Sequence, residues 1–197
     1  VGHPRLSELA GVTRRPEFLR GCGLDPGRPL VGLMPGSRAQ EIERHMGLFL
    51  AAAKSMAEVR GELQFAAGML EHTEQALTGD HKLAIDTIGV NLVRDDSLGL
   101  INAADVLLTK SGTTTMEAAL LGTPPVISYR TSALSYFIAR RLVDVEHIGM
   151  PNILDDDPSI PELVQEQVTP ENLARLGLEL LDVGSEQRRR VLAQCRR

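Results

Sequence analysis

The chain has 197 residues, 43% hydrophobic and 24% charged, with a formal net charge of −5. That profile describes a soluble globular domain and excludes a disordered tail or a fibre; a chain this long buries roughly 70% of the surface its unfolded form exposes, without disulfides or a structural metal. The acidity, the absence of Trp and the presence of only two Tyr and four Phe exclude the basic, ring-lined groove of a nucleic-acid binder.

Cys22 and Cys195 lie far apart with no CxxC pairing, so a reducing, cytoplasmic setting is expected. No apolar run approaches the ~20 residues of a membrane-spanning helix. The opening residues Val1-Gly2-His3-Pro4-Arg5 form no signal peptide and include no initiator Met, which reads as an excised fragment.

Two helical turns are expected near Pro16–Gly21, closed by the turn signal Asp25-Pro26-Gly27. The run Pro29–Met34 is too short for a helix and predicts a buried strand. Ile42, Met46, Phe49, Ala53 and Met56 then recur at spacings of four and three, predicting a helix from about Arg38 to Arg60. Further strands are expected at Leu63–Ala67, Val90–Val93, Ala104–Thr109 and Pro125–Tyr129. Helices are expected at Glu71–Leu77, at Ser97–Ala103 with Ser97 as cap, from the polar turn Lys110–Thr113 through Leu121, and at Ser132–Val143. From Thr169 onward two closing helices flank Gly184-Ser185. Strands alternating with helices predict an α/β fold, a doubly wound parallel sheet with helices on both faces.

Ligands of such sheets bind where strands end and helices begin, and two of these corners are distinctive. In Met34-Pro35-Gly36-Ser37-Arg38-Ala39-Gln40-Glu41, Gly36 allows close backbone approach, the following helix start offers N–H groups, and Arg38 offers a planar fork of donors for phosphate oxygens. Ser37 and Gln40 can alternatively form a capping box. In Lys110-Ser111-Gly112-Thr113-Thr114-Thr115-Met116-Glu117, hydroxyls crowd a second helix start. Glu117 either grips vicinal ribose hydroxyls or closes a box with Thr114. Neither GxxxxGK[ST] nor GxGxxG occurs, so the residues themselves indicate a nucleotide or phosphosugar. The five histidines show no ligand spacing, and Asp155-Asp156-Asp157 reads as a solvated loop or a Mg²⁺ site. The arginines at 188–190 and 196–197 read as a solvated helix end.

Several runs together resemble the donor half of the lipid-A-disaccharide synthase family, inverting glycosyltransferases of the two-domain GT-B type. They are Val1–Pro4, Leu33–Arg38 with Glu41-Ile42, Ser111–Pro124, Tyr129-Arg130, Tyr136, Ile138–Val143, His147–Leu154 and Pro161–Gln165. The Ser111–Pro124 run is shared loosely with other GT-B enzymes; the run from Tyr129 to Leu154 is more specific. The resemblance implies transfer of 2,3-diacylglucosamine from UDP onto 2,3-diacylglucosamine 1-phosphate, with release of UDP and with no metal or cofactor. It implies that Gly36, Ser37, Arg38, Glu41, Ser111, Gly112, Thr113, Thr114, Glu117 and Asn152 line the donor site, with Arg38 stabilising the leaving diphosphate.

On the same footing, residues 1–28 form a crossover and lead-in, 29–168 the Rossmann-like donor domain, and 169–197 its closing helices. The partners implied are the UDP-sugar or UDP and the acceptor domain of the same enzyme, which carries the general base; Asp80, Asp86 and Asp105 fit no motif for that role. Tyr129, Tyr136 and Phe137 beside Arg140 and Arg141 suggest either a core helix or an interfacial helix resting on inner-membrane lipid. Two other readings remain open. One is another UDP-sugar enzyme, of the peptidoglycan N-acetylglucosaminyltransferase or UDP-N-acetylglucosamine 2-epimerase type; the other is a non-catalytic nucleotide-binding module.

Overall fold

The structure is a computed structural model that describes residues 15–131 and 147–196. The expected helix at Ser132–Val143, with Tyr136 and Phe137, lies outside the described residues, as do Val1–Pro4. Among the described residues no helix is long and apolar enough to cross a membrane.

Six strands form one parallel sheet: β1 (Leu30–Met34), β2 (Gln64–Met69), β3 (Val90–Arg94), β4 (Val106–Lys110), β5 (Pro125–Tyr129) and β6 (Glu162–Val164), in the order β3-β2-β1-β4-β5-β6. Helix α1 (Arg15–Gly21) precedes β1, and between the strands run α2 (Ala39–Val59), α3 (Gly79–Ile88), α4 (Ser97–Ala103), α5 (Thr113–Leu121) and the short α6 (Met150–Ile153). Helices α7 (Pro170–Leu181) and α8 (Glu186–Gln194) close the fold.

Strand alternation explains why both faces of the sheet are covered. Val31, Leu33, Val106 and Leu108 project into a core shared with Ile42, Met46, Phe49 and Met56 of α2 and with Leu173 and Leu180 of α7. Leu30, Met34 and Leu107 project the other way, against Phe18, Leu19, Leu100 and Ala118 of α1, α4 and α5. A period of two with apolar residues on both sides marks a doubly covered parallel strand. The predicted α/β class and most of its elements therefore stand.

Several details differ from the sequence expectation. Glu71–Ala76 is a 3₁₀ turn, and α3 follows it unannounced. Ser97 is the first helical residue of α4, and the cap is Asp96, whose side chain accepts from the Gly99 N–H at 2.8 Å. Strand β4 runs one residue further than expected because Lys110 pairs in register with Ser128. Of the C-terminal arginines, Arg188 is no solvated end: its guanidinium donates to the Leu180 carbonyl in the last turn of α7 and to the Asp105 carbonyl at 3.4 Å, satisfying a helix C-terminus.

Candidate functional site

The sheet order reverses between β1 and β4, so the corners leaving these strands part to opposite faces and leave a crevice between them. Met34 stands opposite Thr109 in the register of that central pair, which sets the two corners side by side. They line one cleft of about 440 Å³, together with the ends of β2 and β3 at Gly68, Met69, Leu70, Asp95 and Ser97.

At the first corner Gly36 has φ +123°, and a Cβ there would stand 2.5 Å from Glu41 Oε2. The chain therefore turns tightly, and Glu41, in the first turn of α2, folds back over it. Glu41 Oε2 accepts from the Ser37 N–H at 3.0 Å and the Arg38 N–H at 3.3 Å. Its Oε1 receives Lys110 Nζ at 2.9 Å and Arg38 Nη1 at 3.2 Å. The helix cap thus falls at Arg38, and Glu41 performs the reverse capping contact; the Ser37–Gln40 box is not formed. Burial alone would raise the Glu41 pKa, but the hydrogen bond and charge of Lys110, the Ser37 amide and Arg38 hold it below the ordinary carboxylate value. The Arg38 side chain is 80% exposed and so remains available to a ligand.

The second corner is built differently. Helix α5 begins at Thr113 with Gly112 as N-cap, a residue with no side chain to cap it. Thr114 is then the second helical residue, so the Thr114–Glu117 box does not form; Thr115 Oγ1 donates instead to the Gly112 carbonyl at 2.7 Å. Gly112, Thr113 and Thr114 open on the cleft, and Glu117, 2% exposed, forms part of its wall.

Gly36, Ser37, Arg38, Glu41, Gly112, Thr113, Thr114 and Glu117 thus come together in one cleft. Ser111 and Asn152 do not line it. The Ser111 amide donates to the Ser128 carbonyl at 2.8 Å and its hydroxyl to Ile148 O at 3.4 Å. Asn152 is 2% exposed. Its Nδ2 donates to Ile160 O and Glu162 Oε1, and its Oδ1 accepts from Gln194 Nε2 at 2.9 Å. Glu162 in turn accepts from the N–H groups of Ile148 and Gly149. Asn152 therefore holds, through Glu162, the loop that backs Ser111.

Lys110, expected in a turn, ends strand β4; a lysine closing the apolar run Val106–Thr109 is the kind of residue that marks the carboxyl edge of a strand. The run Asp155–Asp157 lies outside the cleft: Asp155 accepts from the Asp157 amide, and Asp157 pairs with Arg190 at 3.6 Å. Asp105 stands at the opposite end of β4, where it accepts from the Leu30 N–H and pairs with Arg15.

A sheet ordered in this way, with a glycine-cornered cleft at its reversal, defines a Rossmann-like α/β domain of the kind found in GT-B glycosyltransferases. Solved structures share that fold. The chain aligns with UDP-GlcNAc 2-epimerase from Neisseria meningitidis at a TM-score of 0.57 and 12% identity, covering 96% of this chain and 45% of that one. A glycosyltransferase involved in lipopolysaccharide biosynthesis aligns at 0.55 and 17%, covering 92% and 45%.

The family model for lipid-A-disaccharide synthetase matches residues 1–196, and the chain belongs to that family. It is 38% identical to the lipid-A-disaccharide synthase of Syntrophus aciditrophicus, over 98% of this chain and 50% of the relative. It is also 38% identical to that of Geobacter metallireducens, over 100% and 51%. The chain spans about half the length of the curated relatives it matches.

Proposed function

We propose that this chain binds the donor of a lipid-A-disaccharide synthase, UDP-2,3-diacylglucosamine, and holds the UDP that leaves. The observation that carries this reading is the single cleft shared by Gly36–Arg38 and Gly112–Thr114 at the switch point of the sheet. Arg38 and Lys110, which meet at Glu41, and two helix starts border the cleft, and a diphosphate has two anionic groups for two corners. As the anomeric bond breaks, negative charge grows on the diphosphate. Preorganised amides, hydroxyls and a guanidinium stabilise that charge more than they stabilise the intact donor.

Glu117, in the wall beside the second corner, is assigned to the ribose hydroxyls. Ser111 and Asn152 are assigned to the support behind that corner. The acceptor sugar and the general base belong to the part of the relatives' length that this chain does not span, so disaccharide formation is expected only when that part is supplied. Acylated substrates put the reaction at a membrane surface, on the cytoplasmic face of the inner membrane.

Calorimetric titration with UDP tests the reading. The wild-type chain is expected to bind, and Arg38→Ala to bind more weakly by about 1.5–3 kcal/mol, the scale of a charge-assisted contact, with little change in thermal stability because the side chain is exposed. Absence of UDP binding, or equal affinity in the two proteins, overturns the assignment.

A further inference from the structure

The first corner already holds an anion of the protein's own. Two backbone N–H groups and two cationic side chains meet at the Glu41 carboxylate, all within 3.3 Å. These are the groups a phosphate would use, and a carboxylate and a phosphate oxygen accept hydrogen bonds from such donors in the same way. At the second corner the N-cap residue is Gly112, which has no side chain to cap the helix start.

Resting on the reading of the cleft as a diphosphate site, we propose that Glu41 competes with one phosphate of the ligand for the Gly36–Arg38 corner. A ligand phosphate reaching that corner turns the Glu41 side chain out, and Glu41 returns as the diphosphate leaves. The exchange is feasible because the glutamate hangs from the first turn of a 21-residue helix that stays fixed by its buried face. Only side-chain torsions of Glu41 change, and Ser37 and Arg38 are exposed at the mouth of the cleft. Two like-charged groups cannot share one set of donors without loss, so Glu41 weakens the hold on a departing diphosphate and speeds its release. A nucleoside without phosphate makes no demand on the corner and does not sense Glu41.

The test is a paired titration of wild type and Glu41→Gln with UDP and with uridine. The amide oxygen of Gln retains an acceptor for Ser37 and Arg38 but carries no charge. UDP is expected to bind the variant about tenfold more tightly, the scale of one charged contact, through slower dissociation, with uridine unchanged. Equal or weaker UDP binding by the variant, with wild type still binding, overturns the competition alone and makes Glu41 a residue that shapes the loop. A parallel gain for uridine overturns it as well. Failure of both proteins to bind UDP overturns the reading of the cleft and the competition with it. A second measurement does not depend on the variant: saturating UDP must shift the carboxyl carbon resonance of Glu41 in the wild-type chain, and a resonance that UDP leaves unmoved overturns the proposal.

Discussion

The two corners of the cleft have the same plan, an apolar strand, a glycine and a helix start, yet they solve the helix-end problem in opposite ways. At the first, Gly36 takes a left-handed φ of +123° and the chain closes over Glu41, which satisfies the N–H groups of Ser37 and Arg38 and binds Lys110 across the cleft. At the second, Gly112 is extended at φ 170° and, as N-cap, has no side chain to cap the helix, and the hydroxyl residues Thr113 and Thr114 face the opening. A glycine at a strand end therefore does not have one meaning. One is required by backbone conformation, and the other leaves the space beside it clear. The difference also divides the charge: Glu41 neutralises Arg38 and Lys110 at the first corner from within, while the start of α5 at the second has only a glycine as N-cap.

That contrast can be broken most forcefully at Gly36. A Cβ at this position meets Glu41 Oε2 at 2.5 Å and Glu41 Cβ at 2.6 Å, on a backbone that side-chain-bearing residues avoid. Gly36→Ala is expected to lose about 2–4 kcal/mol of stability, from backbone strain and displaced Glu41 contacts. Urea denaturation gives the value, and an unchanged midpoint would show that the first corner tolerates the same change as the second.

Asn152 provides the next largest effect and separates support from contact. Truncating buried Asn152 takes one hydrogen bond each from half-buried Glu162 and buried Gln194 and leaves the Ile160 carbonyl without its amide donor, so Asn152→Ala should cost about 2–3 kcal/mol in urea denaturation. UDP affinity should stay within about twofold, because Asn152 lies behind the Ser111 corner rather than in the cleft. A loss of UDP binding far beyond the loss of stability would instead put its amide against the ligand.

The elements that sequence made legible are those whose own residues determine their environment. Strands β1 and β4 are runs of apolar residues that can only be interior, and the stripe from Ile42 to Met56 admits one helix face. The missed elements lack such a signal. In α3 only Ile85 is buried, and in β6 only Leu163, so neither shows a period; β6 exists because β5 offers it a ladder. The corners themselves were readable from glycine, hydroxyl and arginine content at strand ends. What went unread was the partner across the crevice. Lys110 reaches Glu41 through a parallel pairing of β1 and β4 that brings together segments some seventy residues apart. Asn152 shows the converse, a residue singled out by family likeness whose hydrogen-bonding atoms the fold uses internally.

The smallest change in stability, and the sharpest test of the contrast, lies at Gly112. Its extended φ suits any residue, and an added Cβ would meet nothing nearer than Lys110 Nζ at 3.8 Å. Gly112→Ala should therefore shift stability by no more than about 0.5 kcal/mol in either direction, since removing a glycine also restricts the unfolded chain. That same Cβ stands 3.8 Å from the Lys110 ammonium group and at the start of α5, where a ligand phosphate would approach. UDP affinity should fall about three- to tenfold in calorimetry, by obstruction of the close backbone approach. A variant with unaltered affinity would mean that the space beside Gly112 is not used by the diphosphate, and a variant that unfolds would mean that the second glycine is held for conformation after all.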